Sequence, residues 1–149
     1  MPVFLKIEVI MNKKKIDDIA KANTGFSVGL PAIILSDKVV GELPQIRTLM
    51  YVSLDVATQT RFIFHYLGKV LVRVVEEDKV SESIAYALYY PGRKYSLLSD
   101  MLLDDLGIVL LEPGRGYWRF RDDPEDKIRE TVHKPKFNLK DILEKEGLL

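Results

Sequence analysis

Across residues 3–120 the chain is made of short runs of β-favouring residues, with turn chemistry every few positions, and this punctuation restricts it to a mostly β fold. Residues 3–11 alternate: Phe4, Lys6, Glu8 and Ile10 point one way and Leu5, Ile7 and Val9 the other. Neither side is wholly polar, which predicts a strand covered in part on both faces. A turn over residues 12–15 and a second extended run over 16–22 complete a hairpin. Residues 31–35 predict a short buried strand. Residues 48–55 and 60–66 predict two more, separated by Val56-Ala57-Thr58-Gln59. After Leu67-Gly68-Lys69 comes the most strand-like run of all, residues 70–75. Residues 76–83 read as a charged turn and 84–90 as a strand that Pro91-Gly92-Arg93-Lys94 closes. Residues 108–111 and 117–120 flank Glu112-Pro113-Gly114-Arg115-Gly116, a hairpin turn.

Helical signals are few and short. Ser36 fits a helix N-cap, with Asp37 in the first turn and Pro44 as the stop. Residues 99–107 carry a polar start, apolar Leu102, Leu103 and Leu106, and a Gly107 stop. After Phe120 the composition turns charged. Asp123-Pro124 opens a predicted helix to about Thr131, and Asn138 caps a last one over residues 139–146. The expected organisation is a β domain over residues 1–121 and a charged helical tail over 122–149. The tail's anchors are expected to be Ile128, Phe137, Ile142 and Leu143. No internal repeat is visible.

Composition narrows the function classes. The 149 residues hold 22 Lys+Arg against 22 Asp+Glu, so no overall field favours nucleic acid or membrane. There is no cysteine, hence no disulfide and no thiolate metal site. His65 and His133 are not in ligand spacing, and no metal or other cofactor is expected. No apolar run has spanning length and no secretory leader is read, so a cytoplasmic protein is expected. Scarce Asn and Gln beside abundant Lys, Arg and Glu fit a heat-adapted protein.

Two loops carry the functional signal: Ala22-Asn23-Thr24-Gly25-Phe26-Ser27 and Tyr95-Ser96-Leu97-Leu98-Ser99. With the order of parts around them, they resemble the retropepsin-like aspartic peptidases, in the microbial branch of that family. The family has an N-terminal hairpin, Asp-Thr-Gly, a short strand and helix, a flap hairpin, a Leu-Leu-Gly turn, a short helix and a closing hairpin. Each has a counterpart here in order, over roughly residues 3–120. The resemblance implies a small closed barrel with one or two short helices and a helical tail. It implies a homodimer whose site lies on the two-fold axis, and a peptide or unfolded protein as the bound chain. It places Asn23, Thr24 and Gly25 at the catalytic loop, and Ser27 with Val56, Ala57 and Thr58 of the flap tip at the substrate.

Two residues depart from the family pattern. Asn23 stands where the family has its aspartate. Two facing carboxylates share a proton because both cannot ionise cheaply, and one then takes a proton from water. An amide has no such proton to trade. Ser99 stands where the family has glycine, and its side chain is expected to crowd a packed spot. Three readings stay open: an aspartic endopeptidase in a natural or engineered silent form, a non-catalytic peptide-binding or scaffold module that keeps the cleft, and an unrelated small β domain. Elsewhere ordinary roles suffice. His65 reads as a hydrogen-bonded strand residue, Asp17 and Asp18 as solvated, Asp100 as a first-turn acid, and Tyr86, Tyr89, Tyr90 and Tyr95 as sheet packing rather than a stacking surface for bases.

Overall fold

The first alternating segment pairs out as a hairpin, with β1 (Val3–Met11) antiparallel to β2 (Lys14–Ala22) and Val3 opposite Ala22. The turn is tighter than four residues. Asn12 and Lys13 alone make it, at φ of 50° and 67°, the left-handed pair that a two-residue hairpin requires. The computed structural model describes residues 2–22, 25–43, 46–55, 60–133 and 139–149.

Six strands close a barrel. β2 runs parallel to β7 (Ser96–Leu98), β7 antiparallel to β3 (Ala32–Ile34), β3 parallel to β6 (Val80–Tyr89), β6 antiparallel to β5 (Arg61–Val75), and β5 returns to β1. Among the described residues β4 (Met50–Asp55) pairs only with the first part of β5, outside the ring. Leu5, Ile7, Val9, Val72, Val74, Ala85 and Ala87 fill the interior and are fully buried. Outside, Arg73 ties the closing seam, with Nη1 3.3 Å from Glu8 on β1 and Nη2 2.9 Å from Glu82 on β6. Among the described residues three short helices complete the set: α1 (Asp37–Glu42), α2 (Asp100–Asp105) and α3 (Leu139–Lys145).

Two strand boundaries differ from the sequence reading. The chain does not break at Leu67-Gly68-Lys69: β5 continues for 15 residues through a bulge between Tyr66 and Gly68. Gly68, at φ +97°, bends the strand where another residue would end it. The charged turn shrinks to residues 76–79, and Val80 already pairs with Val75. Pairing with β5 overrides a local composition that is poor for a strand.

The predicted helix before Thr131 is absent. Residues 129–130 form β10 (Arg129–Glu130), the third strand of a sheet with β9 (Tyr117–Phe120) and β8 (Ile108–Glu112). Asp123, read as a helix cap, accepts from the Phe120 N–H at 2.8 Å and pairs with Arg129 Nε at 2.8 Å. The buried Arg129 also grips both oxygens of Asp78, at 2.7 and 2.8 Å, and lies 4.9 Å over the Phe120 ring. These long-range bonds outweigh what a short local helix could gain.

Beyond β10 the chain straps onto β1. The Thr131 N–H donates to Gly116 O at 2.8 Å, the Val132 N–H to Phe4 O at 3.0 Å, and the Phe4 N–H to Thr131 Oγ1 at 2.8 Å. A Cβ at Gly116 would lie 2.6 Å from Thr131 Cγ2, so the strap needs glycine there. Of the apolar anchors foreseen for residues 122–149, Ile128 does not serve, and Ile142 and Leu143 are half-buried. Ile128 is 56% exposed, Phe137 lies outside the described residues, and α3 has no buried residue.

Arg129 hydrogen bonds hold the Asp78 carboxyl down to about 2 and that of Asp123 further below the usual carboxylate range. A depressed native pKa stabilises the fold above the unfolded value near 4 and loses that contribution as pH falls through the native value. Thermal unfolding should therefore show a falling midpoint between pH 4 and 2. Arg129→Met, which strands Asp123, should cost about 3 kcal/mol in urea unfolding at pH 7 and flatten that window.

Candidate functional site

Ala22 ends β2 directly opposite Leu98 of the parallel β7, so the two loops singled out in the sequence leave the barrel side by side. Asn23 and Thr24 lie outside the described residues, as do Val56, Ala57 and Thr58 of the flap tip. Gly25 is an exposed turn residue, Phe26 is buried and Ser27 is exposed. The Asp100 N–H donates to Phe26 O at 2.9 Å, which ties the first loop to the start of α2. Asp100 sits in the first turn of α2, the place its sequence context gave it.

Ser99 overturns the expectation of crowding. Its backbone, at φ −73° and ψ 162°, is ordinary extended chain. Its fully buried hydroxyl accepts from the Ala32 N–H at 2.9 Å and the Leu102 N–H at 3.2 Å, and donates to Leu30 O at 3.2 Å. Serine is thus both the cap of α2 and the staple between the two loops. Ser36 plays the matching part at α1, at φ −70° and ψ 161°, with Oγ 3.3 Å from the Val39 N–H. The structure therefore contains a repeat the sequence reading did not find: strand, Leu-Ser-Asp, helix, at residues 35–37 and again at 98–100.

Beside Ser36 lies a buried polar cluster that was also missed. Asp18, expected to be solvated, is 9% exposed, and its Oδ2 accepts from Ser36 Oγ at 2.8 Å and Ser96 Oγ at 2.6 Å. The signal was present in the phase of β2, where Ile16, Asp18, Ala20 and Ala22 share the inward side. Its neighbour Asp17 is exposed, as read.

A cleft opens beside the first loop. The β4–β5 hairpin, with Leu54 opposite Phe62 and Asp55 opposite Arg61, arches over Val28, Leu30 and Ala32. Together with Val52, Leu54 and Leu88 these enclose about 340 Å³, and among the described residues no charged side chain lines it. Its lining residues Ala32 and Leu88 belong, with Phe26, Ile34 and Phe64, to a second hydrophobic cluster separate from that of the barrel interior. The cleft thus suits an uncharged chain with apolar side groups, whose transfer from water drives binding.

The other singled-out residues take structural places. His65 Nδ1 lies 2.7 Å from Thr48 Oγ1, and its ring packs on Tyr51. Tyr86 stacks on Tyr66, Tyr90 packs on Phe62 and Phe64, the Tyr89 hydroxyl donates to Asp37, and the Tyr95 hydroxyl lies 2.6 Å from His133 Nε2. The four tyrosines form no common stacking surface. Among the described residues no group of three His, Asp or Glu could hold a metal.

A closed six-strand barrel with an arching hairpin and paired loops is the retropepsin-like fold. The chain is similar in structure to the retroviral protease-like domain of Ddi1 from Leishmania major, with a TM-score of 0.52, covering 92% of this chain and 100% of that one. The two share 8% sequence identity, so the likeness is one of fold. No family model matches the chain, and no curated protein matches it by sequence.

Because the Ser99 hydroxyl satisfies a buried backbone N–H, Ser99→Gly should lower stability by about 2 kcal/mol rather than relax the loop. Urea unfolding of the variant, with amide hydrogen exchange at Ala32, measures it. An unchanged midpoint would mean that water replaces the hydroxyl.

Proposed function

We propose that the chain is a homologue of the retropepsin-like aspartic endopeptidases, of their microbial branch, and that it is silent as written because Asn23 replaces the catalytic aspartate. The observation that supports this reading is the uncharged cleft, whose wall residues Val28 and Leu30 follow within seven positions of Asn23 on the same loop. In this reading two copies associate on a two-fold axis and bring their Asn23-Thr24-Gly25 loops together. An extended peptide lies in the joint cleft, held by apolar side chains. With an amide on each side, water loses no proton and the scissile carbonyl gains no acid, so the peptide is bound and left whole.

The test is a gain of function. The chain as written should show no acid-optimum cleavage of unfolded protein. Asn23→Asp should bring two carboxylates together, raise the pKa of one, and give cleavage at mildly acidic pH. That activity should require the dimer, followed by sedimentation, and be blocked by a peptide mimic carrying a hydroxyl at the scissile position. Cleavage by the unaltered chain would show that catalysis does not pass through position 23. A folded, dimeric and still inactive Asn23→Asp protein would favour the peptide-binding or scaffold module.

A further inference from the structure

α3 is a finished helix with no buried residue. At its end the Leu148 N–H donates to Leu143 O at 2.8 Å across Gly147, whose φ is +70°. That closure stops the helix and folds Leu148 back toward its apolar side. Leu139, Ile142 and Leu143 share this side at helical spacing. Leu139, Leu148 and Leu149 are 67%, 73% and 71% exposed, and Ile142 and Leu143 are half-buried. Seven residues are too few to hold a helix in water without a packed face. The same chain carries an open seat, a groove of about 430 Å³ on the outer side of the β1–β2 hairpin. Its apolar floor is Ile19, Tyr95 and Val132. Tyr95 meets Phe4 edge-on at 4.9 Å and the Val132 N–H is bonded to Phe4 O, so the floor is fixed. The charges at its border balance: Lys6, Lys38 and Lys94 stand against Asp17, Asp18 and, 3.9 Å from Lys38, Glu42.

We propose that α3 of a second copy lies in this groove, and that two copies exchange the helix, each seating the other's Leu139, Ile142 and Leu143 on Ile19, Tyr95 and Val132. Three observations select this occupant. In the chain by itself helix and groove are both open, and no residue of α3 lines the groove. The balanced border suits an occupant of mixed charge rather than an ion of either sign, and residues 139–149 set Lys140 and Lys145 with Asp141, Glu144 and Glu146 around the apolar stripe. The cleft under the β4–β5 hairpin has no charged side chain among the described residues to meet those groups, so the helix would bury them there without partners. An exchange of identical segments closes on a two-fold axis. Both helices and both grooves are covered, and none is left to recruit a third copy. The contact is separate from the loop pairing proposed above and does not depend on Asn23.

The chain has no cysteine, so Glu144→Cys on the polar side of α3 takes a single nitroxide. Full-length chain carrying it, at natural isotope abundance, is mixed with nitrogen-15 wild-type chain, so any broadening of amide signals comes from the other copy. The amides of Ile19, Tyr95 and Val132 should lose intensity, reversibly when ascorbate reduces the label, and those of Val52, Leu54 and Leu88 in the cleft should not. Ile142→Asp with Leu143→Asp in the spin-labelled chain should abolish the loss. Val132→Glu in the nitrogen-15 chain, at an exposed side chain whose backbone tie to Phe4 is kept, should abolish it at Ile19 and Tyr95. Each variant should otherwise keep the wild-type amide spectrum. The proposal is overturned by no loss at about 0.5 mM chain, which would place the helix in its own groove or in none. It is equally overturned by loss confined to the cleft, or by loss at Ile19 and Tyr95 that survives either variant.

Discussion

β1 is paired on both sides, to β2 along its whole length and to β5 through residues 7–10, and the molecule is organised around that double pairing. It turns an open sheet into a ring and removes the exposed edges that an open sheet would present. Closure also fixes which way each residue faces. Leu5, Ile7 and Val9 must point in, since a slip of one residue would move Lys6 and Glu8 into the barrel interior. With the ring closed, β2 and β7 are set side by side and the two loops of the site emerge together. The first part of β5, left without a place in the ring, swings out beyond Gly68 to carry the arching hairpin.

Much of this was legible in the residues. Alternation gave β1, and Asn-Lys, Pro-Gly and Gly-Arg-Gly segments marked turns where turns occur. Ser36 gave the cap of α1, whereas Ser99, read as crowding its loop, caps α2. What the residues hid was long-range. Gly68 looks like a stop until its strand is seen to continue against β6. Glu82 looks like turn material until it is seen across from Arg73. Asp123-Pro124 is a fair helix start, and only a guanidinium six residues on makes it a β turn-off. The site was legible as loops and as an order of parts. Position 23 lies outside the described residues, and the cleft is lined by side chains from four strands and a loop that sequence spacing does not connect.

Polar groups do unusually specific work in this small fold. The barrel interior supplies the bulk of the apolar burial, but the attachments between parts are hydroxyls and ion pairs: Ser99 between the loops, Asp18 between β2 and the serines, Arg129 between β10 and the turn at Asp78. Such bonds contribute modestly when made and cost more when one partner is removed. They therefore define where each part sits more than how strongly the whole is held.

Ser96 of β7 and Ser99 just after it have a mechanical consequence. Ser96 Oγ takes the N–H of Ser36, just past one end of β3, and Ser99 Oγ takes the N–H of Ala32 at the other. A three-residue strand is thus bracketed at both ends by hydroxyls from its neighbour. Sliding β3 along β7 in either direction would pull an amide away from its oxygen in a place water does not reach, so shear is resisted from both sides. The loop entering β3 and the helix leaving it then travel with β7 as one stiff plate, and any opening of the cleft has to come from the hairpin above it.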